Sequence, residues 1–248
     1  MNVRPAPVLR LEGVVKRYHR HTALDSVSFE LYASEICALI GPNGAGKTTT
    51  LKCIMGLARL SAGRIWVHGR PHTDPSVRLD MALVPEVPAV YELLTVWEHL
   101  EFIARAYRLE GWEARARELL ERFGLAERRN ALATTLSKGM RQKLIICGAL
   151  LHNPSLLLFD EPFTGLDPQA QRELRQTMLD LRERGQTVLV SSHMLDAVEK
   201  FSDRAFILNR GKLIAQGNLE QLRIRYRLPS TVPLEEVFFE ATREEGLP

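Results

Sequence analysis

The chain has 248 residues, 45% hydrophobic and 25% charged, the proportions of an ordinary soluble globular protein of one large domain or of a domain with a subdomain inserted. Its 33 Lys and Arg against 30 Asp and Glu leave a formal charge of +3, too balanced for the basic excess of a nucleic-acid binder. No run of about 18 apolar residues occurs, so no membrane span is expected, and Met1-Asn2-Val3-Arg4-Pro5 lacks the apolar segment of a signal peptide.

Residues 8–18 alternate loosely around Val14-Val15, as a strand would, and His19-Arg20-His21 reads as a turn. Residues 23–31 alternate apolar and polar, which predicts a second strand with one wet face. Ile36-Cys37-Ala38-Leu39-Ile40 reads as a buried strand; a Gly-rich turn follows, then a helix expected to reach about Leu60. Ser61-Ala62-Gly63 reads as a turn and Arg64-Ile65-Trp66-Val67-His68 as a strand closed by Gly69. This first part is therefore expected to be an antiparallel sheet leading into a parallel core. Ala82-Leu83-Val84 is a short strand stopped by Pro85. From Val96 to about Phe123 the pattern is helical, with Leu100, Ile103, Ala104, Leu119, Leu120 and Phe123 at helix spacing, until Gly124 and the polar run Glu127-Arg128-Arg129-Asn130. Residues 140–151 are helical again and end before Pro154. Ser155-Leu156-Leu157-Leu158-Phe159-Asp160-Glu161 is the most hydrophobic strand and ends in two carboxylates. A charged amphipathic helix over 169–183 closes at Gly185, and 187–193 is another buried strand. Residues 205–208 and 212–216 read as a hairpin around Asn209-Arg210-Gly211. Beyond Asn218 a short helix, a linker broken by Pro229 and Pro233, and a final helix near 234–242 are expected. Cys37, Cys53 and Cys147 lie in apolar segments without metal-ligand spacing, which suits buried free thiols in a reducing compartment.

The chain is organised around Gly41-Pro42-Asn43-Gly44-Ala45-Gly46-Lys47-Thr48-Thr49. Strand, Gly-rich turn and helix are the context that makes a GxxxxGK[ST] string a phosphate cradle rather than an ordinary βα turn. Glycines let the turn curl its N–H groups around oxyanions, and the helix N-terminus adds partial positive charge. Lys47 is expected to reach the β- and γ-phosphates and the Thr48 hydroxyl to ligate Mg²⁺. Two carboxylates can simply end a strand at the surface. Beside Lys47-Thr48 in the same chain, Asp160 is expected to hold Mg²⁺ and Glu161 to orient the attacking water. Leu136-Ser137-Lys138-Gly139-Met140-Arg141-Gln142 reads locally as a helix start capped by Ser137.

In that order these stretches resemble the nucleotide-binding domain of ABC transporters, from about Leu9 to Gly217. Gly41–Thr48 looks like the Walker A motif, Leu136–Met140 resembles the LSGGQ signature with Lys138 and Met140 departing from it, and Leu156–Asp160 looks like Walker B. Gly165-Leu166-Asp167 resembles the D-loop, His193 the switch histidine and Tyr18 the aromatic that stacks on adenine. The resemblance implies an α/β P-loop NTPase of the ABC-ATPase type: a RecA-like core with an N-terminal antiparallel β subdomain (about 1–86 and 154–217), an inserted α-helical subdomain (about 87–153) and a tail (218–248). It implies ATP and Mg²⁺, and two copies paired head-to-tail. Ser137 and the Gly139 N–H of one copy would then donate to the γ-phosphate held by the other. Asp167 would couple the two sites, His193 would contact the γ-phosphate, and Lys138 would add charge near the phosphates or face solvent. Where the family usually has a glutamine touching Mg²⁺ or water, this chain has Glu86, which accepts hydrogen bonds but cannot donate them when ionised. A second carboxylate there suits a metal or water ligand and alters the coupling chemistry.

Glu86, the Ser-Lys-Gly-Met signature and the segment from Leu83 to Leu100 most resemble ABC-2 type exporters. This implies an ATPase subunit on the cytoplasmic face of the membrane, powering export through a separate permease docked on the helical insert, with no nucleic acid as partner. The alternative is a soluble ABC ATPase acting on ribosomes or DNA, for which Arg223, Arg225 and Arg227 are the one basic run. A GTPase is disfavoured because nothing resembles an NKxD motif.

Overall fold

In the computed structural model the described residues are 5–246; residues 1–4, most of the stretch read for a leader, and 247–248, the end of the tail, lie outside them. Two sheets share the work of positioning the loop. The smaller is antiparallel, in the order β2-β1-β4-β5, from β1 (Leu9–Tyr18), β2 (His21–Leu31), β4 (Ala62–Val67) and β5 (Arg70–Pro71). The larger runs β10-β9-β3-β8-β7-β6, from β3 (Ile36–Ile40), β6 (Met81–Val84), β7 (Leu156–Asp160), β8 (Thr187–Ser192), β9 (Arg204–Asn209) and β10 (Lys212–Gly217). It is parallel from β9 to β6, and β10 closes it as the antiparallel arm of a hairpin. That hairpin turns at Arg210 (φ 45) and Gly211 (φ 81), the paired positive φ values of a type I′ turn.

Strands β3, β7 and β8 are buried along their whole length because both faces are covered. Ile36, Ala38 and Ile40 enter one core with Leu157, Phe159, Val188 and Val190. Cys37 and Leu39 enter the other with Leu156, Leu158, Leu189 and Phe206. The first core packs under α3 (Val96–Ala106), α4 (Trp112–Arg122), α5 (Lys138–Leu151), α6 (Pro168–Glu183), α7 (Leu195–Glu199), α8 (Leu219–Arg225) and α9 (Leu234–Gly246). The second packs under α1 (Lys47–Ile54), α2 (Pro75–Arg78) and the small sheet. The three cysteines are free and buried, and burial pushes the Cys53 thiol up to about 11.

Several boundaries differ from the expectation. The helix after the loop ends at Ile54 rather than near Leu60, because Met55 caps it and Gly56 turns out at φ 69, leaving Leu57 68% exposed. The expected single helix over 96–123 is two, α3 and α4, separated where Arg108 (φ 55) and Gly111 (φ 61) adopt left-handed backbone. The β1–β2 turn is only His19-Arg20, with His19 at φ 50, so His21 already belongs to β2. Ala62 pairs with Val15 in β4 rather than lying in a turn. The short elements β5, α2 and α7 were not anticipated, although Asp74 accepting from Ser76 N ahead of Pro75 is a helix start of ordinary kind.

Candidate functional site

The loop from Gly41 to Gly46 joins the buried end of β3 to α1. Gly46 caps that helix at φ 108, and a Cβ there would stand 2.7 Å from the Ala23 carbonyl and 2.8 Å from Leu24 Cδ2. A Cβ on Gly41 would stand 2.4 Å from the Leu208 carbonyl. Side chains are thus excluded at both ends of the turn, where the backbone passes against β2 and β9. Lys47 opens α1 and is 6% exposed. Its Nζ donates to the carbonyls of Gly41 at 2.7 Å and Pro42 at 3.3 Å and pairs with Glu161 Oε1 at 3.2 Å. Those three contacts use the three donors of an ammonium, as a buried charge requires.

The carboxylates come from the C-terminal edge of the large sheet. Asp160 lies opposite Ser191 in the β7–β8 register, and its Oδ1 accepts from Ser191 Oγ at 2.7 Å and Thr48 Oγ1 at 3.0 Å. Glu161 stands just past β7 at φ 45, with its N–H donating to Ser191 Oγ at 3.1 Å. Its Oε2 accepts from the His193 backbone N–H at 3.1 Å and bonds the ring Nδ1 at 2.8 Å. One buried carboxylate therefore joins the loop lysine to the residue after β8.

A cleft of about 430 Å³ opens over this cluster. Pro42–Thr49, Lys47 among them, form its floor; Tyr18, His21 and Ala23 form one wall; Glu86, Glu161 and His193 close the other side. Tyr18 is 42% exposed, with Lys16 Nζ 4.4 Å from its ring centroid. Glu86 is exposed on the rim, and the preceding Pro85 carbonyl accepts from Gln142 Nε2 on α5 at 3.3 Å. A larger crevice of about 870 Å³ lies between the small sheet and β9–β10, but its charges answer one another, as in Arg10–Glu12 at 2.7 Å and Arg204–Glu35 at 3.2 Å.

The structure brings Tyr18, Pro42, Asn43, Gly44, Ala45, Gly46, Lys47, Thr48, Thr49, Glu86, Glu161 and His193 to one cleft, with Asp160 bonded to Thr48 behind it. Gly41, Ser137, Gly139 and Asp167 do not line it, Gly41 offering only its carbonyl to Lys47 Nζ. Ser137 caps α5, accepting from Met140 N at 3.2 Å, and Asp167 caps α6, accepting from Ala170 N at 2.9 Å. Lys138 lies across Gly165, where an added Cβ would meet its Nζ at 3.1 Å, so these two stretches pack on each other. Sequence reasoning missed His21, Ser191 and Gln142. The two-residue turn that pairs His21 with Tyr18, and the Ser-Ser-His end of β8, were the available signals.

A glycine-walled loop at a helix N-terminus, with a lysine, a hydroxyl and two strand-end carboxylates meeting under it, defines a P-loop nucleotide-binding protein. Residues 24–164 match the model of the ABC transporter family. The ABC-type transporter ATP-binding protein EcsA of Bacillus subtilis (strain 168) is 38% identical over 96% of this chain and 98% of its own length. The SkfA peptide export ATP-binding protein SkfE of the same organism is 34% identical over 84% of this chain and 87% of its own. A solved ATP-binding subunit of an ABC transporter superposes with a TM-score of 0.90 at 37% identity, covering 95% of this chain and 99% of that one. The chain belongs to the ABC transporter family, as an ATP-binding subunit with the ABC ATPase fold. Among the described residues, no helix is long and apolar enough to cross a membrane.

Proposed function

We propose that this chain binds MgATP in the 430 Å³ cleft and hydrolyses it when two copies close head-to-tail, driving export through a permease carried on a separate chain. The observation that carries the reading is the direct chain of contacts Thr48–Asp160 and Lys47–Glu161–His193 beneath the loop. Loop N–H groups and Lys47 bind the phosphates, and Tyr18 stacks on adenine. The Thr48 and Asp160 oxygens, 3.0 Å apart, are hard donors that suit Mg²⁺, with the Glu86 carboxylate as a further ligand to the metal or its water. Among the described residues no three or more His, Cys, Asp or Glu are arranged to hold a metal by themselves, and Mg²⁺ characteristically needs only one or two carboxylates besides phosphate. When bound, the ion neutralises charge on the phosphates of the transferring group.

Glu161 is the pivot of the chain's own chemistry. Its Oε1 is engaged by Lys47, so movement of the ammonium onto a phosphate frees that oxygen to accept a water proton. His193 holds Oε2 through two bonds, which fixes the direction of the freed oxygen. Ser137 and the Gly139 N–H, outside this chain's own cleft, act on the phosphate of the second copy, and Asp167 couples the sites. We assign the core and β subdomain to about 1–86 and 154–217, the helical subdomain that receives the permease to about 87–153, and the tail to 218–248. Membership of the family supports a position at the cytoplasmic face of the membrane, and the export reading leans on relatives such as SkfE. In the tail, Arg223 and Arg225 donate to the carbonyls of Val232 and Ile214.

Glu161→Gln, which keeps the shape and removes the base, tests the assignment. With MgATP it should elute as a dimer by light scattering, while the wild type stays monomeric and turns over faster per chain as concentration rises. No ATP-dependent dimer, or a rate per chain independent of concentration in a verified monomer, would overturn it.

A further inference from the structure

The helix that follows His193 has little to hold it by itself. Five residues cannot sustain a helix alone, and α7 has no side-chain cap at its start. Its stability comes from what it touches. On the core side Val198 is fully buried, and Phe201 sits edge-on to Phe163 at 5.8 Å, two residues past Glu161. On the other side lies the tail. Glu199 Oε2 accepts from the backbone N–H of Leu234, the first residue of α9, at 2.8 Å. Its Oε1 stands 3.7 Å from Arg223 of α8, and Arg223 Nε in turn donates to Val232 O at 2.8 Å. One carboxylate thus caps α9 and ties α8 and the 229–233 turn to α7. Leu234, Val237 and Ala241 complete the attachment in the same core.

We infer that Glu199 is a positioning residue for His193, and that the tail helices α8 and α9 set the geometry of turnover through it. His193 meets Glu161 with its backbone N–H and its ring Nδ1 on one oxygen. Two bonds from a single residue depend on the backbone orientation at that residue, and α7 begins two residues further on. Releasing Glu199 frees α7 to rotate and opens that pair of bonds, while the phosphate loop, on the other core, is left as it was. The inference rests on the reading that His193 acts in turnover.

The test is a double-mutant cycle in the full chain, with MgATP turnover and thermal melting of each variant. Glu199→Ala should lower kcat by up to roughly 100-fold, the scale of a catalytic group displaced by about 1 Å, with KM for MgATP unchanged. Glu199→Gln, which still accepts from Leu234 N, should recover most of the rate. In the residual activity of His193→Ala, adding Glu199→Ala should change nothing further. If Glu199→Ala does not fold, Arg223→Met carries the same cycle in milder form, by removing the ion pair while the Leu234 N–H bond to Glu199 stays, and should lower kcat by less than Glu199→Ala. Turnover unaffected by loosening Glu199 while His193→Ala lowers it, or an equal drop in both backgrounds, would overturn the inference. If His193→Ala alone leaves kcat unchanged, the role of His193 itself fails, and that result is distinguishable from the other two.

Discussion

Gly46→Ala probes the close approach of the loop to β2 with a single methyl group. Two costs meet at this position. The backbone at φ 108 is one that L side chains rarely adopt, and such strain costs about 1–3 kcal/mol. The added Cβ also falls 2.7 Å from the Ala23 carbonyl, which is backbone and cannot rotate away. Overpacking of this kind costs about 1–3 kcal/mol more. Reduced freedom of the unfolded chain returns about 0.4–1 kcal/mol. The net loss is roughly 1–5.5 kcal/mol, or a fall in Tm of roughly 2–20 °C for a chain of this size. Gly185 is the control: it has φ 90 and nothing within 4 Å of its would-be Cβ, so Gly185→Ala pays for the dihedral alone. Its Tm should fall by no more than about 10 °C, and by less than that of Gly46→Ala. Melting of both variants by calorimetry, with MgATP titrations alongside, decides the matter. Gly46→Ala should also lose nucleotide affinity, because the backbone that moves is the cradle. If the two variants melt together and bind MgATP alike, the argument from close approach is refuted.

The other expectations are more compact. Asp160→Asn exchanges an oxygen donor beside Thr48 for an amide and should weaken binding of ATP in Mg²⁺ about 10- to 100-fold while leaving binding in EDTA nearly unchanged; equal losses in both would remove Asp160 from the metal. Tyr18→Ala should cost ATP about 1–3 kcal/mol of stacking without affecting tripolyphosphate, and parallel losses for both would mean the ring packs only as a wall. Burial holds the His152 imidazole below its ordinary range, outweighing the Met81 carbonyl, Asp80 and the Gly148 carbonyl. The unfolded chain therefore takes up this proton more readily, so the native advantage is complete above about pH 6.5 and lost as pH falls below it. His152→Phe, which keeps a ring 3.9 Å from Tyr107 by centroid, should flatten the decline of urea stability between roughly pH 7 and 5; an unaltered slope would place the effect elsewhere, His72 being the other imidazole lowered by burial.

How far the fold was legible depends on whether its cause was local. The loop, its strand and its lysine were readable because the glycines and Lys47-Thr48 occupy one stretch. The alternation of β3 between two cores was readable only as a continuous apolar run, since both faces are covered. The break at 107–111 was hidden for a physical reason. Both α3 and α4 turn their apolar faces toward the same core, so the spacing continues across it, and Arg108 is not a residue type that announces left-handed backbone. The 234–242 helix was visible from its spacing, but nothing local pointed to Glu199 as its anchor. The contact of Glu161 with Lys47 and His193 was also beyond local reading. It arises because β7 and β8 are neighbours in register and because Glu161 turns out of its strand at φ 45.

That turn also bears on why the signature stretch stands apart from this cleft. Lys47 and His193 engage both oxygens of Glu161, so within one chain the carboxylate is held, and no residue of α5 lines the cleft. Ser137, meanwhile, is exposed, and among the described residues its Oγ is used only as an acceptor for Met140 N. A hydroxyl that accepts from a helix N–H still has its own proton to donate. Beside it, the first N–H groups of α5, Gly139 among them, lack intrahelical partners. An outward-facing hydroxyl donor and free N–H groups at one helix start suit an oxyanion held by another molecule. The complementary surface, a loop of N–H groups with a buried lysine, is present on every copy of this chain. On the proposed head-to-tail reading, each copy offers one half of the arrangement and takes the other half from its neighbour, so turnover is expected to rise with concentration while nucleotide binding is not.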